Sequence, residues 1–142
     1  MKQQMAIASL LVAQIWILAS AQGRTTLDGV YTEAQAQRGE AVYARACASC
    51  HQPDLSGDGQ TPALAGTDFN MNWNDRSIGD LFERTRISMP ADAPGSLEPA
   101  EVADAIAFLL SKGTFPAGQA ELPSGLAALK DITFVTPKTN PK

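Results

Sequence analysis

Two cysteines and a histidine stand together in the segment Cys47-Ala48-Ser49-Cys50-His51. This C-x-x-C-H spacing is the one that covalent attachment of a c-type haem requires. Each thiol can form a thioether with one vinyl group, and the adjacent imidazole then falls directly beneath the iron. Ala48 and Ser49 are small enough for the backbone between the thiols to lie against the porphyrin edge. The segment therefore predicts one haem c, bound covalently through Cys47 and Cys50.

A C-x-x-C pair also occurs in disulfide oxidoreductases and in zinc sites, and each makes a demand on the rest of the sequence. A thioredoxin-like pair lies between a strand and a helix, whereas the residues before Cys47 are rich in Ala and Gln and contain no β-branched run. A structural zinc site needs four ligands, and the chain has two cysteines and one histidine. Haem attachment is favoured, and a disulfide oxidoreductase is the alternative from a different functional class.

The second axial ligand of such a haem can be sought by elimination. His51 is the single histidine, so a bis-histidine haem within one chain is excluded. Loss of an N-terminal signal segment would remove Met1 and Met5, which leaves Met71 and Met89. Met89 precedes Pro90 and lies 38 residues after His51 (89 minus 51), which is long enough for the chain to return across the haem. We predict Met89 as the ligand and Met71 as an ordinary packing methionine.

The first 21 residues predict export. An apolar run from Met5 to Leu18 leads to Ala19-Ser20-Ala21, which fits a small-residue cleavage site after Ala21. Because the run is short for a membrane span, we expect a signal peptide over residues 1–21 and no stable membrane insertion after cleavage. An uncleaved membrane anchor is the alternative. Since bacteria attach c-type haem outside the cytoplasmic membrane, the N-terminal segment and the C-x-x-C-H motif both indicate the periplasm.

The remaining residues 22–142 are enough for one small domain. The formal net charge is −4, and it becomes −5 once Lys2 is removed. This acidic balance argues against nucleic acid and anionic membranes as partners.

The pattern along the chain predicts short helices separated by long loops. Residues 22–31 are expected to form a flexible leader, and Thr32 with Gln35 predicts a capping box that opens the first helix. The long Gly-, Pro- and Asp-rich segment from Gln52 to Asn74 is expected to be a loop, of a length that wrapping a cofactor would explain. The other expected elements are a first helix ending near Cys47, a short helix over Ser77–Arg86, a helix from Pro99 to a stop at Gly113, and a weakly amphipathic patch over Leu126–Leu129.

This order of elements over residues 32–113 resembles the class I c-type cytochromes, an all-α fold of small helices and long loops around one haem. The segments at residues 38–43 and 88–90 carry the resemblance most clearly. It implies that the first and last helices cross with Gly39 and Tyr43 against the Ala107-Phe108 region. Residues 114–142 would then be a Pro- and Gly-rich C-terminal extension.

The resemblance also implies roles for individual residues. The family's axial methionine stands in a Met-Pro loop, as Met89 does here. In relatives a proline carbonyl holds the other ring nitrogen of the axial histidine, which makes Pro62 the candidate, with a merely structural turn as the alternative. Trp73 is expected either to donate its indole N–H to a haem propionate or to pack in the core.

Electron transfer is the function that this ligation predicts, because two protein ligands leave no open position on the iron for a substrate. The segments around Met89 and after Gly113 resemble cytochromes associated with quinoprotein (PQQ) dehydrogenases, which implies such a partner. A carrier feeding a terminal oxidase is the close alternative. Two charged surfaces are also expected. Candidates for a basic rim that contacts the partner are Arg45, Arg76, Arg84 and Arg86. The last helix is expected to carry an acidic outer face formed by Glu98, Glu101 and Asp104.

Overall fold

Residues 23–138 are described in the computed structural model, and they are mainly helical. In chain order they form β1 (Arg24–Thr25), α1 (Glu33–Ala46), α2 (Ala48–His51), α3 (Thr67–Trp73), α4 (Ile78–Ser88), α5 (Pro99–Lys112), α6 (Leu126–Lys130) and β2 (Ile132–Thr133). The predicted all-α class is confirmed for this part of the chain, with one two-residue strand pair added. The predicted signal peptide over residues 1–21 lies outside the described residues.

Helices α1 and α5 cross at Gly39, as the family resemblance implied. A Cβ built at Gly39 would overlap the backbone carbonyl of Asp104, so only glycine permits this approach. The rings of Tyr43 and Phe108 pack beside the crossing with their centroids 5.2 Å apart. Because α1 leads directly into the C-x-x-C-H segment, this crossing fixes where that segment lies.

Gln35 departs from its expected role at the start of α1. The Thr32 hydroxyl caps the helix by accepting from the Gln35 N–H at 3.1 Å, as expected. The Gln35 side chain does not complete a capping box, because it is buried and bonds both backbone groups of Leu122, at 2.9 Å and 2.7 Å. A buried amide needs partners for both of its polar atoms, and here they come from the distant C-terminal segment.

The segment expected to be a flexible leader, residues 22–31, is instead part of the fold from Gly23 onward. Strand β1 pairs in parallel with β2, with Arg24 opposite Ile132. The Thr26 hydroxyl donates to the Val135 carbonyl and accepts from its N–H, both at 2.9 Å. Val30 is fully buried. Composition alone suggested flexibility, but these residues gain their order from partners more than 100 positions away.

The Pro- and Gly-rich segment after Gly113 contributes to the same core. Five of its apolar residues are almost fully buried, namely Phe115, Leu122, Leu129, Ile132 and Phe134. Phe134 packs between Phe115 and Phe69, at centroid distances of 5.1 Å and 6.0 Å. The described residues 114–138 are therefore integrated with the helices and do not extend away from them.

The long loop expected over Gln52–Asn74 contains a helix, α3, at its end. Phe69 and Trp73 are one turn apart and both buried. Seven residues are too few for an apolar period to stand out, and helices this short depend on tertiary packing. The irregular loop is thus confined to residues 52–66.

Helices α4 and α5 match their predictions closely. A capping box opens α4, in which Ser77 and Asp80 exchange hydrogen bonds between side chain and backbone at 3.0 Å and 3.1 Å. The helix ends at Ser88, two residues later than expected. Helix α5 begins at Pro99 and ends before Gly113, and its predicted apolar face is buried.

Candidate haem site

The end of α1 places both thiols and the imidazole on one helical turn. The Cys47 N–H still bonds the Tyr43 carbonyl at 2.9 Å, and the next turn, α2, carries Cys50 and His51. The N–H groups of Cys50 and His51 both donate to the Cys47 carbonyl, at 3.2 Å and 2.9 Å. Residues three apart on a helix share a face, so the two thiols are neighbours. Both are free cysteines, Cys47 partly buried and Cys50 exposed.

His51 is held in one orientation by the loop that follows it. Its Nδ1 lies 2.8 Å from the Pro62 carbonyl, the contact that the resemblance implied. Because a carbonyl only accepts, Nδ1 must carry the ring proton, which leaves the lone pair on Nε2. The ring is buried, with 7% of its surface exposed. This arrangement prepares Nε2 to bind a metal ion.

The loop that presents Pro62 is fixed by its own hydrogen bonds. The Gly57 N–H donates to the His51 carbonyl at 3.1 Å, and the Asp58 carboxylate accepts from the N–H groups of Thr61 and Gln60 at 2.7 Å and 3.1 Å. These hydrogen bonds hold the pKa of Asp58 below its usual range, with that of Thr61 the stronger cause. In the sequence, the turn-forming composition of this loop was the one sign of this support.

Tyr43 provides a second support that the sequence analysis missed. Its hydroxyl donates to the Gln52 carbonyl at 2.6 Å, which ties α1 to the residue after His51. Burial raises the pKa of Tyr43 to about 12, so the phenol stays protonated and keeps donating at neutral pH. The one sequence signal was an aromatic residue one turn before Cys47.

The electrostatics of Cys47 do not favour a reactive thiolate. Burial raises the pKa of the Cys47 thiol, and the nearby Arg45 only partly opposes this effect. Disulfide oxidoreductases need the opposite, a thiol pKa that is lowered. The all-helical surroundings of the pair also differ from a strand-then-helix redox site.

The two methionines within residues 23–138 have different environments. Met89 directly follows α4, is half-buried, and donates its N–H to the Thr85 carbonyl at 2.9 Å. Met71 is 71% exposed. The prediction that Met71 is a packing methionine is therefore wrong, because Phe69 and Trp73 take the inner face of α3 and turn Met71 outward.

An open cleft of about 440 Å³ lies beside the C-x-x-C-H turn, where Ser49 and Pro90, the residue after Met89, both line it. The side chains of Cys47, Cys50, His51 and Met89 are close to these lining residues in sequence but do not line the cleft themselves. The cleft is lined on one side by Arg45, Ala46 and Ser49. On the other side it is lined by residues of the loop after Met89 and of the first turn of α5, namely Pro90, Asp92, Ala93, Ser96, Leu97 and Glu101. The fold thus brings together two segments that are 38 residues apart in sequence (89 minus 51).

Trp73 and Pro62 are placed differently with respect to this cleft. Pro62 reaches the site through His51, as described above. Trp73 is buried beside Phe69 at a centroid distance of 6.3 Å, and the Arg76 guanidinium lies 4.7 Å from the centre of its ring. Its indole N–H donates to no group of residues 23–138. Core packing of Trp73 is evident, and a propionate contact stays a prediction.

The acidic outer face expected on α5 is largely neutralised. Asp104 accepts two hydrogen bonds from Arg38 at 3.0 Å and 3.1 Å, and Glu101 pairs with Arg45 at 2.6 Å. The prediction overlooked that α1 crosses α5 and brings Arg38 and Arg45 to these acidic side chains. The same pairing ties Arg45, a predicted docking residue, to α5.

A family model described as "Cytochrome C oxidase, cbb3-type, subunit III" matches residues 34–109, which are 76 of the 142 residues. The chain belongs to this family of c-type cytochromes. No curated protein and no solved structure matched it. The matched residues include the C-x-x-C-H turn, the Met89 loop and the α1–α5 crossing. The cytochrome is therefore an electron-transfer haem protein, an electron carrier that needs a redox partner.

The residues of the cytochrome fit the haem that its family binds. Two unpaired thiols share one turn, the adjacent imidazole has its Nε2 free, and the half-buried thioether residue Met89 precedes Pro90, which lines the same cleft as Ser49 of that turn. Thiol, imidazole and thioether are the donors that haem c uses. Within residues 23–138, no helix is long and apolar enough to cross a membrane.

Proposed function

We propose that this protein is an exported, periplasmic electron carrier with one covalent haem c and His51/Met89 axial ligation. The observation that carries the proposal is the C-x-x-C-H turn, in which the Pro62 carbonyl orients His51. Ser49 of this turn lines the same cleft as Pro90, the residue that follows Met89. Cys47 and Cys50 would hold the haem through thioether bonds, and His51 Nε2 and Met89 Sδ would bind its iron. When bound, the haem supplies one-electron exchange between the ferric and ferrous states.

The protein's own groups favour fast transfer without side chemistry. Two protein ligands exclude a substrate from the iron, and a thioether ligand favours the reduced state. The Pro62 carbonyl and the buried setting of His51 keep the imidazole in one tautomer during turnover. Tyr43 stays neutral and holds the backbone next to His51 in place.

Mass spectrometry of the protein exported from a host with a haem-attachment system tests attachment and export together. We expect a polypeptide that begins at Gln22 and keeps one haem through denaturing acid and solvent extraction. A Cys47→Ala, Cys50→Ala variant is the matched control and should carry no covalent haem. Full-length apoprotein with a free or disulfide-bonded cysteine pair would overturn the proposal and revive the disulfide oxidoreductase alternative.

Two partners are supported by different observations. The sequence resemblance around Met89 favours a quinoprotein dehydrogenase as the electron donor. The family match favours a terminal oxidase as the acceptor, because the matching model describes an oxidase subunit. Stopped-flow reduction by a quinoprotein dehydrogenase with its substrate, and oxidation by membranes that contain a terminal oxidase, distinguish the two roles.

A further inference from the structure

The last turn of α4 carries two exposed arginines next to the Met89 loop. Arg84 and Arg86 are both solvent-exposed, and neither forms an ion pair with another residue in the range 23–138. Asp92 is the one acidic residue between Arg84 and Leu97, so this segment has a charge of +1 (two Arg minus one Asp). The whole chain has a charge of −4. The segment around the proposed ligand is thus locally basic on an acidic protein.

The other basic side chains of the helices are already engaged. Arg38 and Arg45 pair with acids of α5, and Lys130 lies 3.8 Å from Glu83. Arg76 stacks on Trp73, and Lys112 lies 5.2 Å from the centre of the Phe108 ring. Arg84 and Arg86 differ from all of these because, within residues 23–138, neither has an ion-pair partner or an aromatic ring beneath its guanidinium.

An exposed apolar side chain lies between these arginines and the ligand loop. Ile87 is 62% exposed, although most large apolar residues of the helices are buried. Pro90 lines the cleft, and the exposed Ala91 follows it. An apolar centre with a charged rim is the usual composition of a protein contact surface. We define Arg84, Arg86, Ile87, Pro90 and Ala91 as the docking face.

We propose that the docking face binds an acidic surface of the protein's redox partner and so brings that partner to the Met89 side of the cleft. This inference rests on the proposed electron-transfer function and names the surface and its charge preference. Because the chain as a whole is acidic, an acidic partner is repelled from its other faces. Attraction between the basic docking face and the acidic partner then orients the two proteins as they meet, and such steering raises association rates by about 10–10³-fold.

Electrodes coated with charged monolayers test the charge preference without an identified partner. The probes are gold electrodes that carry either carboxylate-terminated or ammonium-terminated thiols. We expect the holoprotein to exchange electrons with the carboxylate surface, and the rate to fall about tenfold in an Arg84→Gln, Arg86→Gln variant. An Arg24→Gln, Lys112→Gln variant removes the same amount of positive charge from exposed sites elsewhere. If orientation decides the rate, the electron-exchange rate of this control variant should fall by less than about twofold.

Two further experiments vary the ionic strength and remove the exposed apolar side chain of Ile87. Raising the ionic strength should remove the difference between the two double variants, because screening acts over about 8 Å at physiological salt. On a mixed carboxylate and methyl monolayer, Ile87→Ser should weaken retention at high salt. Met71→Ser removes an equally exposed apolar side chain from α3 and should not.

The outcomes separate the docking proposal from the proposed function. The docking face is overturned if the electron-exchange rate falls equally in both double variants, or if the protein exchanges electrons with the ammonium surface only. In either case a haem signal at the electrode would still support the electron-transfer function. Unchanged rates with a lower unfolding temperature in the α4 variant would show that the arginines only stabilise the helix end, and would also overturn it. Absence of a haem signal at both surfaces would overturn the proposed function itself.

Discussion

At the scale of residues, the site depends on a few side chains whose environments differ sharply. His51 has one ring nitrogen occupied by Pro62 and the other free. The two methionines differ as clearly, since Met89 is half-buried beside the cleft and Met71 is 71% exposed on α3. This contrast makes the proposed axial ligation testable by substitution.

Met89→Ala should abolish the sulfur-to-iron charge-transfer band of the oxidised protein and lower its reduction potential, because it removes the thioether ligand. Met71→Ala is the matched control and should leave the band and the potential unchanged. Absorption spectroscopy and potentiometric titration make the comparison. An intact band in the Met89 variant would move the ligand assignment to another residue.

At the scale of elements, the crossing of α1 and α5 positions the haem-binding turn. Gly39 lets the two backbones meet, and the ion pairs of Arg38 and Arg45 tie the same helices on their outer side. Since α1 continues directly into α2, any change in the crossing displaces Cys47, Cys50 and His51 together.

Gly39→Ala should destabilise the protein although alanine is the better helix former by about 1 kcal/mol. The added methyl group would overlap the Asp104 carbonyl, and such overpacking costs about 1–3 kcal/mol. Thermal unfolding of the holoprotein measures the change. Glu40→Ala, at the next and exposed position of α1, should shift stability by less than about 0.5 kcal/mol. Equal stability of the Gly39 variant and the native protein would mean that the helices separate more easily than their contact implies.

At the scale of the whole molecule, segments from both ends of the described chain close one side of the core. Strand β1 pairs with β2, the Thr26 side chain bonds Val135, and Gln35 holds Leu122. Phe134 is fully buried among aromatic rings at the centre of this region. The core therefore extends beyond the segment that matches the family.

Phe134→Ala should lower the free energy of unfolding by about 3–5 kcal/mol, the usual cost of removing a buried aromatic ring. The folded variant should keep the absorption spectrum and potential of the native protein, because Phe134 does not line the cleft. Leu27→Ala, at a 40% exposed position in the N-terminal segment, is the control and should change stability little. A loss below about 1 kcal/mol at Phe134 would mean that the C-terminal segment unfolds separately from the helices.

The expectations for α5, which rested on a local pattern, were confirmed. Its apolar period and the stop at Gly113 each depend on residues within a few positions of one another, and both are present. The Gly39 crossing and the Pro62 contact came from the family resemblance. The missed features include the helix α3, the ordered segment 23–31, the Gln35 contact with Leu122, and the neutralised acids of α5.

The sequence by itself determined the haem-binding motif, because the C-x-x-C-H spacing lies within a single helical turn. It also determined the main helices, whose periods and caps are local. Only the tertiary structure decided which ion pairs form within residues 23–138 and that the segments 23–31 and 114–138 belong to the core. Arg45 and Arg84 are equivalent in composition, but Arg45 meets Glu101 across a helix crossing and Arg84 faces solvent. Burial and ion pairing depend on residues far apart in sequence, which no local pattern records.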